Sequence, residues 1–490
     1  MSALPATPLR IALRELKGKT AEIASDAPGW ERVLTVRDHE GALDPSRPIV
    51  IGDRGTGKSF WTGALLDADR RERLSAVYPR LALDKIDVEL GFGGDEFSSA
   101  HPTSSELSDL LKQGFSAEAI WRAVMLSVLP APVRPAEVTT GDWRRSVAWI
   151  AEDPALRRAQ FQAADKYLVG QGRQLLVIFD ALDTLSSDWD EISKLMRGLL
   201  QVGLFLRPAR GLRLKLFLRP DMVDDPQLWA VGDSSKLRHD EVMLAWTRRD
   251  LHALLIQYLA NHVETRALIQ QYTRDNFRKE LNYESDRFEV PSELLNDETA
   301  QQKFFASVAG NYMGRSATKG RTYTWVPNHL ANAKGHAAPR SFLLALGVAA
   351  ERSEGDLVAL EVEGIKEGVR QASQSRMREL GEDYRWIDAV FRPLRDMQVP
   401  IDRRDVMSRW KAGKVIAAIT KEMKADTTGR YLPPPRIASQ TDDAATHAAL
   451  IDTLDHLGII EVIGDGRLNM PDLFRLAAGV KRMGGVKLRP

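Results

Sequence analysis

The chain contains no cysteine. Disulfides, thiolate-ligated zinc and thiol catalysis are therefore excluded. Charge bias is missing too. Lys+Arg total 68 against Asp+Glu 67, a net charge of +1, so no global field points to nucleic acid or to a membrane surface, although a local basic face stays compatible with DNA. No run of about 18 apolar residues occurs, so no membrane span is expected. The opening stretch MSALPATPLRIALRELKGKT has no apolar segment of signal-peptide length, and the expectation is a soluble, cytoplasmic protein. The nine histidines form no H-E-x-x-H or comparable metal pair, and His252 reads as helix packing. There is no G-x-S-x-G elbow and no repeat of fixed period. What remains is ordinary globular material: 43% hydrophobic residues over 490 positions, enough for roughly two to four domains.

One short stretch stands out. PIVIGDRGTGKSFW, residues 48–61, reads as a strand, a glycine-rich turn and a helix. Gly52, Gly57, Lys58 and Ser59 fit G-x-x-x-x-G-K-[ST]. Gly52, Gly55 and Gly57 permit backbone angles that a Cβ would forbid, so that successive N–H groups can turn inward around a phosphate. Lys58 would reach the β- and γ-phosphates and the Ser59 hydroxyl would ligate Mg²⁺. The helix expected from Lys58 to Asp67 points its positive end at the anion. The nucleotide-binding set is then Gly52, Asp53, Arg54, Gly55, Thr56, Gly57, Lys58, Ser59 and Phe60.

Hydrolysis needs more: a carboxylate for the Mg²⁺ shell and a group to position water. QLLVIFDALDTL, residues 174–185, supplies both. Leu175 to Phe179 is the continuous apolar run of a central parallel strand. Asp180 at its C-terminal end is assigned to Mg²⁺, and Asp183 to polarising water, with helix capping as the alternative for Asp183. GLRLKLFLRPDM, residues 211–222, reads as the next strand, Leu212 to Leu218. Arg219 at its end suits a γ-phosphate sensor; a surface arginine before a proline turn is the alternative. A fifth strand is expected at Glu241 to Ala245, followed by a long amphipathic helix.

This arrangement resembles the ASCE division of P-loop NTPases, which includes the AAA+ and STAND families, over roughly residues 45–350. The D-A-L-D run at 180–183 is more similar to the D-x-x-D of NACHT- and KAP-type ATPases, because AAA+ proteins usually place Glu where this chain has Ala181. Arg219 resembles the sensor arginine of STAND proteins. No N-K-x-D segment is present, which favours ATP over GTP. GHAAPRSFLLALGVAAE resembles the lid segment of AAA+, KAP and origin-recognition proteins. That resemblance makes Arg340, beside Pro339, a second nucleotide sensor; an ordinary helix start is the alternative.

The expected fold is α/β: a parallel-sheet P-loop NTPase core, then a helical lid and a C-terminal winged helix. The boundaries are an N-terminal extension (1–45) with a short helix Leu9 to Lys17, the core (46–262), the lid with an inserted loop (263–375) and the winged-helix domain (376–490). Within the core, a Gly/Ser-rich loop and a proline-rich segment before a helix Trp143 to Leu168 could form a partner surface. The lid insertion NYMGRSATKGRTYTWVPNHLANAKGH carries Arg315, Lys319, Arg321, Tyr323 and Trp325. It reads as a lid loop or as a grip for nucleic acid. ATHAALIDTLDHLGIIEVIGDGRLNMPDLFRLA resembles the helix, hairpin and helix of a winged helix, with strands Ile459 to Ile463 and Arg467 to Met470 around Gly464, Asp465 and Gly466. Its helix Ala444 to His456 carries Asp452 and Asp455 but no Lys or Arg, which favours a protein-facing role over DNA. Lys481, Arg482, Lys487 and Arg489 add basic charge at the end.

The resulting expectation is an ATP-hydrolysing regulatory switch with ATP and Mg²⁺ as cofactors. It would act with protein partners that supply sensor or effector function, as a possible homo-oligomer completed by Arg238, Arg248 or Arg249 of a neighbour. Bacterial anti-phage defence is a setting taken from family analogy. A DNA-binding, origin-recognition-like ATPase and a nucleotide-holding scaffold with negligible turnover are the alternatives.

Overall fold

The computed structural model describes residues 4–18, 29–426, 431, 434 and 442–482; Lys487 and Arg489 lie outside them. The centre is a five-stranded, wholly parallel sheet: β1 (Ile49–Ile51), β2 (Ile86–Phe92), β3 (Gln174–Phe179), β4 (Leu212–Leu218) and β5 (Val242–Met243), in the order β2-β3-β4-β1-β5. β5 is shorter than the 241–245 expected, with only Val50 and Ile51 of β1 pairing to it.

Alternate residues of the strands feed two separate cores, as period-2 geometry requires of a sheet covered on both faces. Ile49, Val177, Phe179, Leu214 and Leu216 face one layer, whereas Val50, Leu176, Ile178 and Phe217 face the other. The first layer contains the segment inserted between β2 and β3. Trp121, Val124, Trp143 and Val147 are buried there against Leu195 and Leu199, while Phe97 of the same segment is fully exposed. The helix expected from Trp143 to Leu168 is two helices, Trp143–Glu152 and Pro154–Gly170. Asp153 breaks it: a residue before proline is pushed out of the helical region, and its carboxylate caps the second helix by accepting from the N–H groups of Ala155 and Leu156.

A third and larger core joins the remaining helices. Helix α1 (Ala6–Glu15), the sequence's N-terminal helix, packs its Leu9, Ala12 and Leu13 there. In it also lie α3 (Arg248–Asn261), α4 (Pro339–Glu351), α5 (Val362–Asp383) and α6 (Ala444–His456), while α2 (Lys58–Leu66) packs under the sheet. The Arg10 guanidinium donates to the carbonyls of Glu354, Gly355, Val358 and Ala359, closing the loop after α4. Gly347 of α4 lies so close to α1's end that a Cβ would come within 2.9 Å of the Lys17 nitrogen. After α6, Glu461–Val462 and Leu468–Asn469 pair as an antiparallel hairpin, and Ile401 bridges to Leu468.

Two aromatics of the lid insertion are already engaged. Tyr323 is buried, stacks on His252 at 4.0 Å and donates to Gln301 at 2.7 Å. Trp325 stacks on His329 at 3.8 Å. Neither ring is presented for a base. No helix among the described residues is long and apolar enough to cross a membrane.

Candidate functional site

The turn after β1 leaves the sheet between β1 and β4, where the Gly52 N–H donates to Leu218 O at 3.0 Å. Gly55 and Gly57 take φ of +78° and +102°, the left-handed angles that turn the loop's amides toward its centre. The Thr56 hydroxyl donates to Asp53 O at 2.8 Å, and the Trp246 indole N–H donates to Thr56 O at 2.7 Å, pinning the loop to the segment after β5. Lys58 opens α2 and folds back across the turn, its ammonium donating to Gly52 O at 2.6 Å and Asp53 O at 3.1 Å. Burial lowers its pKa; Asp180, Asp183 and Asp53 oppose that, and Arg219 adds to it. The cationic end of Lys58 therefore shares a field with both acidic residues that follow β3. Phe60 turns away from the loop centre, its ring edge-on to Trp61 at 5.3 Å in the layer beneath the sheet.

Asp180 follows β3 and is 4% exposed. Its Oδ1 accepts from the Ala181 N–H at 2.8 Å and its Oδ2 from the Thr62 hydroxyl at 3.3 Å. Thr62 is three residues after Ser59 on α2, hence on the same helix face. This contact ties the helix that carries the serine to the carboxylate. Ala181 adopts φ of +52°, unusual for a residue with a Cβ, and the strained turn carries Asp183 back across the site.

Asp183 meets Arg219, whose Nη1 donates to Oδ2 at 2.9 Å. Arg219 is only 9% exposed, so the expected surface alternative does not describe it. Its guanidinium forks onto Asp221 at 3.0 and 2.7 Å, contacts Asp383 at 3.0 Å and donates to the Tyr384 hydroxyl at 3.1 Å. Burial disfavours the arginine's charge, yet Asp221, Tyr384, Asp183 and Asp383 outweigh it and hold its pKa well above the ordinary value. Burial alone would raise Asp221, but Arg219 overcomes it and keeps that carboxylate low. Asp383 goes the other way: burial raises it and Arg219 and Arg54 only partly compensate.

The lid closes on the same loop. Arg340 lies on the first turn of α4 with its N–H 3.4 Å from Gly55 O, and a Cβ on Gly55 would fall 2.8 Å from that of Arg340. The Arg340 side chain faces Glu379 of α5 at 3.7 Å. Asn332 donates to Asp53 at 3.1 Å, and Arg54 pairs with Asp383 at 2.7 Å and Glu382 at 3.2 Å. The cavity left among Asp53, Thr56, Trp246, Asn332 and Ser341 is about 20 Å³, far below the roughly 300 Å³ or more of a ligand pocket. A roomier open cleft of about 770 Å³ lies at the opposite strand ends, around Arg47, Arg80 and Arg213, away from every residue of the loop.

The fold thus brings together Gly52, Asp53, Arg54, Gly55, Thr56, Gly57, Lys58, Ser59, Asp180, Asp183, Arg219 and Arg340. The expected neighbour-completing arginines lie elsewhere: Arg238 pairs with Glu241 at 3.3 Å, Arg249 with Asp250 at 3.6 Å, and Arg248 reaches Asn328 at 3.4 Å. Sequence reasoning missed Trp246, Asn332, Glu382, Asp383 and Tyr384. One signal was present. Glu382 and Asp383 end a helix, where the dipole disfavours carboxylates unless cations face them. Among the described residues no cluster of three or more His, Asp or Glu is grouped to hold a metal by itself. Ser59 and Asp180 are a fitting pair for a magnesium ion that also has phosphate oxygens as ligands.

The sequence matches no protein-family model and no curated protein. Similar solved structures include the Aeropyrum pernix ORC2 protein in ADPNP–ADP complexes, with 13% identity and a TM-score of 0.36 over 96% of this chain and 88% of that one. A Walker-type ATPase of Pyrococcus abyssi has 11% identity and a TM-score of 0.36, covering 92% of this chain and 98% of its own. Cdc6p from Pyrobaculum aerophilum has 12% identity and a TM-score of 0.29, covering 92% and 95%. Likenesses this loose carry no functional argument, which rests on the chain's own sheet order and loop geometry.

Proposed function

We propose that this chain is an ATP-hydrolysing switch of the P-loop class. The observation that carries the reading is the Thr62–Asp180 contact. It joins the helix that begins with Lys58 and Ser59 to the acidic end of β3, two places 118 residues apart in the chain. β4 lies between β1 and β3, so the turn after β1 and the acidic end of β3 open on the same edge of the sheet. Bound ATP with Mg²⁺ would supply the phosphoanhydride and the cation that neutralises its oxygens. The loop amides and Lys58 would hold the phosphates. Ser59 and Asp180 would hold the metal, and Asp183 would orient a water once Arg219 turns from it to phosphate. Arg340 would report the lid's position.

Phosphate release from wild type, Lys58→Ala and Asp183→Asn, alongside nucleotide binding, tests the reading. Lys58→Ala should lose ATP binding, by roughly a hundredfold. Asp183→Asn should keep binding and lose turnover. Normal hydrolysis by both variants would overturn the site. Binding without turnover in wild type would leave the nucleotide-holding scaffold.

The regulatory part of the proposal draws on the C-terminal region. α6 buries Leu450, Ile451 and Leu454, while its exposed Asp452 pairs with Arg403 at 3.2 Å and its exposed His456 with Asp224 of the core at 3.1 Å. Acidic charge on that face and its contact with the core favour a protein-facing role, with partners, a possible homo-oligomer and an anti-phage or related multi-component setting following by family analogy. The DNA reading has one feature in its favour: Arg404, Arg409, Lys411, Lys414, Lys421 and Lys424 are exposed along two neighbouring helices. A gel shift with the full chain across a salt series separates the two, since phosphate contacts weaken steeply with salt.

A further inference from the structure

Two cations of the site, Arg54 on the phosphate-binding turn and Arg219 at the end of β4, are held by the same residue, Asp383. Asp383 is the last residue of α5 and Tyr384 follows it, at the joint where the lid passes into the C-terminal region. We propose that this acidic tip, Glu382 with Asp383, is an internal competitor for the γ-phosphate: it occupies the arginines that a triphosphate needs, so ATP can be accommodated only when the joint lets go. The inference rests on the ATP reading above and names how that site is regulated.

Charge makes the competition strong. Four carboxylates, Asp183, Asp221, Asp383 and Glu382, already face two guanidinium groups, Arg54 and Arg219. A triphosphate would bring several more negative charges into a half-buried, weakly screened space. One carboxylate must leave the site. Arg219 also turns from Asp183, which is on its Nη1 at 2.9 Å, but Asp183 stays to orient water, so the comparison is between Asp221 and Asp383. Asp221 is two residues from Arg219 in the chain and bound through both nitrogens of the fork. Asp383 comes from another layer and touches through one nitrogen only. Its carboxyl is also the one whose pKa stays raised, because burial outweighs Arg219 and Arg54. Asp221 is the permanent partner and Asp383 the exchangeable one.

Packing converts that exchange into movement. Three polar ties between the sheet layers and the lid side meet at the loop: Asp383 with Arg54, Asn332 with Asp53, and Arg340 with Gly55. ADP lacks the group that competes with Asp383 and so leaves the tip in place. The expected behaviour is a joint that opens with ATP and closes with ADP, the reciprocal coupling that linkage demands.

The full chain tests this directly, and its lack of cysteine makes labelling simple. Asp69 in the core and Ala417 in the C-terminal region, both exposed, would each be replaced by cysteine and labelled for distance measurement. A slowly hydrolysed ATP analogue should change the distance in wild type, and ADP should not. Asp383→Asn should shift it with no nucleotide added and raise the preference for the analogue over ADP about tenfold. Asp383→Glu, which keeps the charge, should restore wild-type behaviour. An unchanged nucleotide-free distance together with an unchanged preference in Asp383→Asn would overturn the latch. If wild type binds neither nucleotide, the ATP reading fails, while the nucleotide-free distance in Asp383→Asn still decides whether the ion pairs hold the joint.

Discussion

Strand β4 carries two buried cations, Lys215 in its middle and Arg219 just past its end, and they are held in different ways. Lys215 is fully buried and donates to the backbone carbonyls of Asp44 at 2.8 Å and Arg47 at 2.9 Å. Among the described residues no carboxylate forms an ion pair with it, and burial pushes its pKa from 10.5 down to about 7. Arg219 is held by side chains from three parts of the chain: Asp183 after β3, Asp221 after its own strand, and Asp383 with Tyr384 at the end of α5. Backbone carbonyls cannot leave without unfolding the segment that carries them. Side-chain carboxylates can. A buried cation on main-chain oxygens is a fastener, whereas one on exchangeable acids is a component that can change partners.

The largest way to break that contrast is Arg219→Ala. It leaves Asp221, Asp183 and Asp383 facing one another with their cation gone, and should cost about 3–5 kcal/mol in urea unfolding. Lys215→Met tests the other half. In wild type the unfolded chain keeps the lysine proton up to 10.5 while the folded chain gives it up near 7, so stability should rise as pH climbs through that window. The variant lacks this gain. The difference between the two proteins should therefore shift toward wild type by a few kcal/mol from neutral to alkaline pH, measured by denaturant midpoints. No such trend is expected for Arg219→Lys, whose partners are acids.

Gly55→Ala extends the comparison to the lid. Its φ of +78° and the nearby Arg340 Cβ make the cost roughly 1–2 kcal/mol, and calorimetry should show the loss. Asp183→Asn is the smallest for stability, under about 1 kcal/mol, because Arg219 retains Asp221 and Asp383 and Asp183 is partly exposed. Its effect belongs to turnover instead. A stability loss as large as that of Arg219→Ala would make Asp183 a fastener too.

What could be read from the sequence follows the same division. The strand runs at Leu175 to Phe179 and Leu212 to Leu218, and the turn from Gly52 to Ser59, are written in adjacent residues, where spacing alone states the geometry. So is the alignment of Asp180 with a strand end. Asp153 before Pro154 was equally local, and the helix break it makes was there to be noticed. Asp383 was different in kind. It lies 329 residues from Arg54, and although carboxylates at a helix C-terminus signal that a cation faces them, nothing local says which one. Pairing also changes what a motif residue does: Arg219 was legible as a cation at a strand end, but not its company of acids.

The Arg10 contacts bear on where this molecule can be cut. A motif-guided truncation would begin a little before Ile49 and discard everything earlier as dispensable. That cut would remove Leu9, Ala12 and Leu13 from beneath α4 and withdraw the guanidinium that caps the carbonyls of residues 354–359. The helix bearing Arg340 would lose its backing while the phosphate turn itself stayed intact. For this chain the shortest piece that contains the recognisable signature is not a piece that can be expected to stand alone.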